Sequence, residues 1–95
     1  MAAIKPKARG DLTVVELDGE AVIYDDANSR IHYLNPTATL VFSIFDGTAT
    51  VRDLAQDIAQ VYQVPPDEVE KQVRALLRDF RKANLLEGGV PAKHG

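Results

Sequence analysis

The chain holds no cysteine among its 95 residues. That absence excludes disulfides, thiolate metal sites and a cysteine nucleophile, and it accords with a cytoplasmic setting. No apolar run approaches the ~20 residues that a membrane helix needs. The amino end also lacks an apolar stretch of signal-peptide length, so neither membrane insertion nor secretion is expected. Histidine is scarce: of the two, His94 falls in the last stretch of the chain, and a two-histidine metal site would need it. Neither Ser29 nor Ser43 stands in a Gly-x-Ser-x-Gly elbow. Gly88-Gly89 follows a helical pattern instead of preceding one, so it does not form a phosphate cradle. These residues offer no catalytic set and no cofactor or metal site. The expectation is a protein that is not an enzyme.

What is present is a globular composition, 45% hydrophobic and 26% charged. The length suits one domain with a thin core. The net charge of −3 is unevenly spread. Residues 1–10 carry Lys5, Lys7 and Arg9 and no acid, whereas residues 11–87 carry all 14 acids and 7 of the 11 bases. A body that acidic repels a phosphate backbone, so nucleic-acid binding would have to rest on a local patch. Residues 1–10 show no period and read as a flexible arm, residues 88–95 as a flexible tail, and residues 11–87 as the folded part.

The first half reads as strands. Leu12–Leu17 and Glu20–Asp25 are rich in β-branched and aromatic residues, and Asp18-Gly19 between them is a favoured two-residue hairpin turn. A second turn at Asp26–Ser29 leads into a short strand, Arg30–Leu34. The second half reads as helices over about 36–46, 50–62 and 66–84. Asn35-Pro36 opens the first, with Ala38, Val41, Phe42 and Phe45 along one face. Thr50 caps the second, whose apolar stripe is Val51, Leu54, Ala55, Ile58 and Val61. The third starts at Pro65-Pro66 with Asp67 and Glu68 in its first turn. Its residues Val69, Val73, Leu76, Leu77, Phe80 and Asn84 share an arc of roughly 100°, opposite Lys71, Arg74, Arg78, Arg81 and Lys82.

Few residues invite a functional reading. Asp25-Asp26 reads as a solvated turn, and His32 as a half-exposed strand residue making one hydrogen bond. The basic stripe of the third helix either pairs with Asp67, Glu70 and Asp79 or docks an acidic partner. The hairpin register places Val15, Leu17, Val22 and Tyr24 on one sheet face and Leu12, Val14, Ala21 and Ile23 on the other. Helices can cover one of these faces, which leaves an apolar second face. A three-stranded meander also keeps two open edges, and an open edge accepts an added strand. The Lys5–Gly10 arm is the other candidate cover.

Four stretches together resemble the PqqD-like family, the small peptide-binding domains called RiPP recognition elements. They are Gly19–Tyr24, Tyr33–Ala38, Phe45-Asp46-Gly47 followed by Thr50-Val51, and Asn84–Glu87. The resemblance spans about residues 12–87. It implies an α+β, winged helix-turn-helix-like fold, with a three-stranded antiparallel meander followed by three helices. It also implies no catalysis. Family members bind the leader segment of a ribosomally made precursor peptide and deliver it to a modifying enzyme, commonly a radical SAM or lasso-peptide enzyme. Carried onto this chain, the leader would add as a strand beside Arg30, Ile31, His32, Tyr33 and Leu34. A pocket would be formed by Ile31, Tyr33, Val73, Leu76, Leu77 and Phe80, with Arg74 and Arg81 meeting acidic leader residues. The chain departs at Tyr24, which is followed by Asp25-Asp26, where members serving pyrroloquinoline quinone synthesis carry a Tyr-Pro-Glu-like run. The departure bears on that cofactor pathway alone, and the resemblance still implies the leader-binding role, in RiPP or quinone-cofactor biosynthesis.

Two other readings share these features. A winged helix could bind DNA through the basic face of its third helix, but the hairpin tips hold Asp18, Asp25 and Asp26 in place of a basic wing. A small module could instead form a homodimer through the same open edge.

Overall fold

The computed structural model describes residues 5–87. Its first strand, β1 (Thr13–Leu17), turns through Asp18 and Gly19 into β2 (Glu20–Asp25). Both turn residues adopt left-handed backbone, φ 55° and 80°, the geometry in which a two-residue hairpin matches strand twist. The expected register follows, with Val15 opposite Val22 and Leu17 opposite Glu20. A single 3-10 turn, Asp26–Asn28, leads to β3 (Arg30–Leu34), and the antiparallel sheet has the order β1-β2-β3.

Three helices follow: α1 (Pro36–Ile44), α2 (Val51–Tyr62) and α3 (Pro66–Lys82). The Asn35 side chain accepts from the Ala38 N–H at 2.8 Å, and Thr50 Oγ1 accepts from the Asp53 N–H at 3.1 Å. Both caps satisfy donors that a helix start otherwise leaves orphaned. The third helix stops at Lys82, short of the expected Asn84, because Asn84 itself turns left-handed at φ 61°. The Leu85 N–H then bonds back to the Phe80 carbonyl at 2.9 Å, in the manner of a Schellman end.

The helices pack on one face of the sheet. Ala21 and Ile23 of β2 and Leu34 of β3 enter a core with Ala38, Val41 and Phe42 of α1, Phe45 at its C-cap, and Val73, Leu77 and Phe80 of α3. Phe80 meets Phe42 and Phe45 edge to face, with ring centroids 5.3 and 5.9 Å away, an arrangement favoured by the ring quadrupoles. On α2 the expected stripe needs one correction. Ala59 is buried, whereas Val61 is 75% exposed. The 3.6-residue period carries Val61 past the edge of the arc that faces α3.

Residues 5–10 are not a loose arm. Lys7 bridges Asp46, and Ala8 bridges Leu86. The Ala8 N–H donates to the Phe45 carbonyl at 2.8 Å and the Glu87 N–H to the Lys7 carbonyl at 2.8 Å. This segment is therefore a strap joining the α1–α2 loop to the chain that follows α3, on the helix side of the sheet. Leu85 and Leu86 are buried beneath it. Gly47, at φ 85°, permits the close approach, because a Cβ there would lie 3.1 Å from the Lys7 side chain. Residues 1–4 and the expected tail, 88–95, lie outside the described residues.

Candidate functional site

The sheet ends at β3. Among the described residues no further strand pairs with its outer edge, so its outward N–H and C=O groups remain free to pair. The pleat divides the five residues of this strand. Ile31 lies opposite Tyr24 and Tyr33 opposite Val22, on the face turned away from the helices. Both are open to solvent, Ile31 at 54% and Tyr33 at 77%. His32 lies opposite the buried Ile23, and Leu34 opposite the buried Ala21, so these two face the helices. Arg30 opens the strand and is exposed.

This division corrects the expected pocket. Val73, Leu77 and Phe80 are buried in the core beside Leu34 and do not face the β3 edge as an open pocket. Ile31 and Tyr33 lie on the opposite face of the sheet, so they share no pocket with those α3 residues. The reason is the two-residue period of a strand: neighbours in sequence go to opposite faces. Leu76 is the apolar α3 residue of the expected set that stays half-buried at the margin of the core.

The charged candidates also separate. Arg74 is held by Glu70 one turn earlier, through Nε at 3.0 Å and an Nη at 2.7 Å on the same carboxylate oxygen. This is the i,i+4 pairing of a solvated helix face. Arg81 is half-buried. His32 is half-buried as expected, but its Nε2 is buried without a hydrogen-bond partner. A polar atom so placed costs stability unless something satisfies it.

Asp25 is no solvated turn residue. Only 1% exposed, it accepts from Arg9 Nη1 at 2.9 Å and from the Asn28 side-chain amide at 2.9 Å. Arg9 also grips Asp11 at 2.7 Å and the Asn84 carbonyl at 2.8 Å. One guanidinium thus ties the strap, the β2–β3 turn and the end of α3 together, beside the start of the open strand. The Asn28 amide, followed by Arg9, holds the Asp25 carboxyl below the usual carboxylate range. The Arg9 guanidinium is pushed further up, by Asp11 first and then by Asp25. The sequence pattern does not show this hub, because residues 1–10 carry no period and read as an arm without structure. A lone arginine in a basic arm, 16 residues from an acid at a turn, gave no local signal.

A further concavity lies elsewhere in the fold. A groove of about 800 Å³ runs between α1 and the α2–α3 corner, with Leu40, Ile58, Tyr62, Val64 and Gln72 among its lining. Of the expected site residues it touches only Val73. No group of three or more potential metal ligands occurs among the described residues. None of their helices is long and apolar enough to cross a membrane.

Known proteins with this fold share its architecture closely. TbiB1 in complex with the TbiA(β) leader peptide superimposes with a TM-score of 0.75 at 21% identity, over 90% of this chain and 99% of that one. A lasso peptide synthetase B1 complexed with its leader peptide gives 0.74 at 22% identity, over 92% and 99%. The PqqD part of Methylobacterium extorquens PqqCD, described as a stand-alone RiPP recognition element, gives 0.71 at 23% identity, over 86% and 87%. No curated protein matches the sequence. The family described as coenzyme PQQ synthesis protein D matches residues 20–86, from the start of β2 to the buried Leu86. The chain, with its three-stranded meander and three packed helices, therefore belongs to the PqqD family.

Proposed function

We propose that this chain binds the leader segment of a ribosomally made precursor peptide and presents it to a peptide-modifying enzyme, without catalysing a step itself. The observation that carries the reading is the unpaired outer edge of β3, Arg30–Leu34, beside two exposed apolar side chains. A leader of roughly 10 residues in extended form adds there as a fourth strand, antiparallel to β3. Main-chain hydrogen bonds set its register, and its alternate side chains fall on opposite faces of the sheet. Those on the outer face meet Ile31 and Tyr33. Those on the helix side pass His32 and approach α3, where Leu76 and Arg81 are the accessible members of the expected set. Val73, Leu77 and Phe80 support this wall from within the core and do not touch the peptide. Arg74, already paired with Glu70, contributes only where an acidic leader competes for it.

The fold neighbours named above support the reading, since two of them are complexes with leader peptides. The partner enzyme is a lasso-peptide maturation enzyme, the class that one of these neighbours' names suggests, or a radical SAM enzyme, the class that the family resemblance implies. The reading also puts the chain in the cytoplasm, where precursors leave the ribosome. The test uses the synthetic leader of the short precursor encoded nearest to this chain's gene. On titration, the amide resonances of Arg30–Leu34 should shift in a saturable way. Shifts that cluster on α2 and skip Arg30–Leu34 would overturn the mechanism.

A further inference from the structure

The alternation of main-chain bonds in the sheet fixes which groups of β3 face its open edge. Leu17 and Glu20 flank the two-residue turn and exchange both main-chain bonds, so Val22 and Tyr24 bond to β1 as well. Ala21, Ile23 and Asp25 are left to bond to β3, through Leu34, His32 and Arg30. The N–H and C=O groups of Ile31 and Tyr33 are therefore the ones that point outward. A strand added at this edge bonds to Ile31 and Tyr33. Its residues opposite Leu34, His32 and Arg30 form the non-hydrogen-bonded pairs, in which side chains approach most closely. Those three residues share the helix side of the sheet with Ala21, Ile23 and Asp25.

The chemistry of this row changes from one end to the other. Leu34 is buried, and no charged residue follows it before Asp46. His32 Nε2 has no hydrogen-bond partner among the described residues. Arg30 is exposed and forms no ion pair among them, with Asp26 of the adjoining turn or with any other acid. Asp25, directly across from Arg30, is already taken by Arg9 and the Asn28 amide. Because Arg9 also holds the Asn84 carbonyl, the last turn of α3, with Arg81, stands at this same end. Resting on the leader-binding reading above, we infer that the row selects a leader by an ordered pattern on alternate residues. From the leader's amino end, these are an apolar side chain opposite Leu34, a hydroxyl or amide opposite His32, and an acid opposite Arg30. The order follows from the antiparallel direction, which brings the leader's earlier residues to Leu34 and its later ones to Arg30. An acid at the later place meets Arg30 and Arg81, whereas at the earlier place it meets the end of the sheet that holds Glu16 and Glu20. A hydroxyl or amide both donates and accepts, so it satisfies either tautomer of His32, and an apolar side chain leaves Nε2 unpaired.

Selection of a random library of displayed peptides, each of about 10 residues, on the immobilised full chain tests the inference. Aligned binders should show the apolar, hydroxyl-or-amide and acidic places in that order, at alternate positions. Selection on Arg30→Glu should put Lys or Arg at the acidic place alone, and Arg30→Gln should erase that preference without reversing it. His32→Leu should turn the middle place apolar and leave the other two unchanged. Amide spectra establish that each variant keeps its fold. For one selected peptide, exchanging its acid for lysine should weaken binding to the wild-type chain by about three- to tenfold, less in high salt, and strengthen binding to Arg30→Glu. Binders that shift the Arg30–Leu34 amides but carry the acid at the other end, or at no fixed place, overturn the inference and leave the leader-binding reading standing. So does an Arg30→Glu chain that selects the same peptides as wild type. Binders that shift only amides elsewhere, or a selection that yields none, overturn both.

Discussion

The two faces of the sheet are built from the same residue types and have opposite fates. On the helix side Ile23 is fully buried and Phe80 stacks across α1, while on the outer side Leu17 and Tyr33 stand largely in water. Alternation along the strands puts apolar residues on both faces, so their hydrophobicity alone does not choose which face closes. The choice is made by the helices, which present one continuous core to one face only. The helix side therefore carries stability, and the outer side, with the open edge of β3, stays open to solvent.

The largest effect that would break this contrast is on stability. Phe80→Ala should cost about 3–5 kcal/mol, because it empties a buried aromatic site. Leu17→Ala, on the outer face, should stay within about 0.5 kcal/mol. Urea denaturation of the two variants compares the faces directly, and equal losses would erase the distinction between them.

Binding should follow the reverse order. Tyr33→Pro is expected to abolish capture of the leader peptide, because proline has no N–H to donate to an added strand. An amide spectrum checks that β1 and β2 keep their pairing, and isothermal titration reads the affinity. A variant that folds and binds as wild type would remove β3 as the docking edge.

The Arg9–Asp25 hub gives a third handle. The Asp25 carboxyl titrates below its unfolded value, so the stability it confers is fully present above the ordinary carboxylate pKa of about 3.9. It is lost as the pH falls through the depressed folded value. Asp11 and Asp46 are lowered in the same sense, by Arg9 and by Thr48 respectively. Denaturation midpoints from neutral pH downwards should therefore fall below about pH 4. Asp25→Asn should show a shallower fall, and an identical acid limb would mean that the hub does not operate in solution.

The smallest effect is expected at Arg74. Arg74→Glu should weaken only acidic leaders, by severalfold at most, and the difference should shrink in high salt. Arg81→Glu should matter more, because Arg81 has no carboxylate holding it among the described residues.

Much of the fold was legible in the sequence. Asp18-Gly19 imposed the hairpin register, and Asn35-Pro36 and Thr50 placed two helix starts, because each is a local preference written in two or three adjacent residues. Arg30–Leu34 as an open edge followed from the strand count. The assignment of Ile31, Tyr33, Val73, Leu77 and Phe80 to one pocket did not survive, since their faces depend on how the sheet and α3 meet. Val61 shows the same difficulty in miniature: the periodic stripe included it, and the actual width of the helix contact left it out.

By itself, then, the sequence determined the elements, their order and the pairing of the strands, because caps, turns and periodicity act over a few neighbouring residues. Only the tertiary structure decided which sheet face closed and which α3 residues the core absorbed. It also turned residues 5–10 into a strap, with Arg9 bonded to Asp25 and to the Asn84 carbonyl. The physical reason is distance along the chain. A guanidinium meets a carboxylate 16 residues away and a carbonyl 75 residues away only after the helices have packed on one side of the sheet.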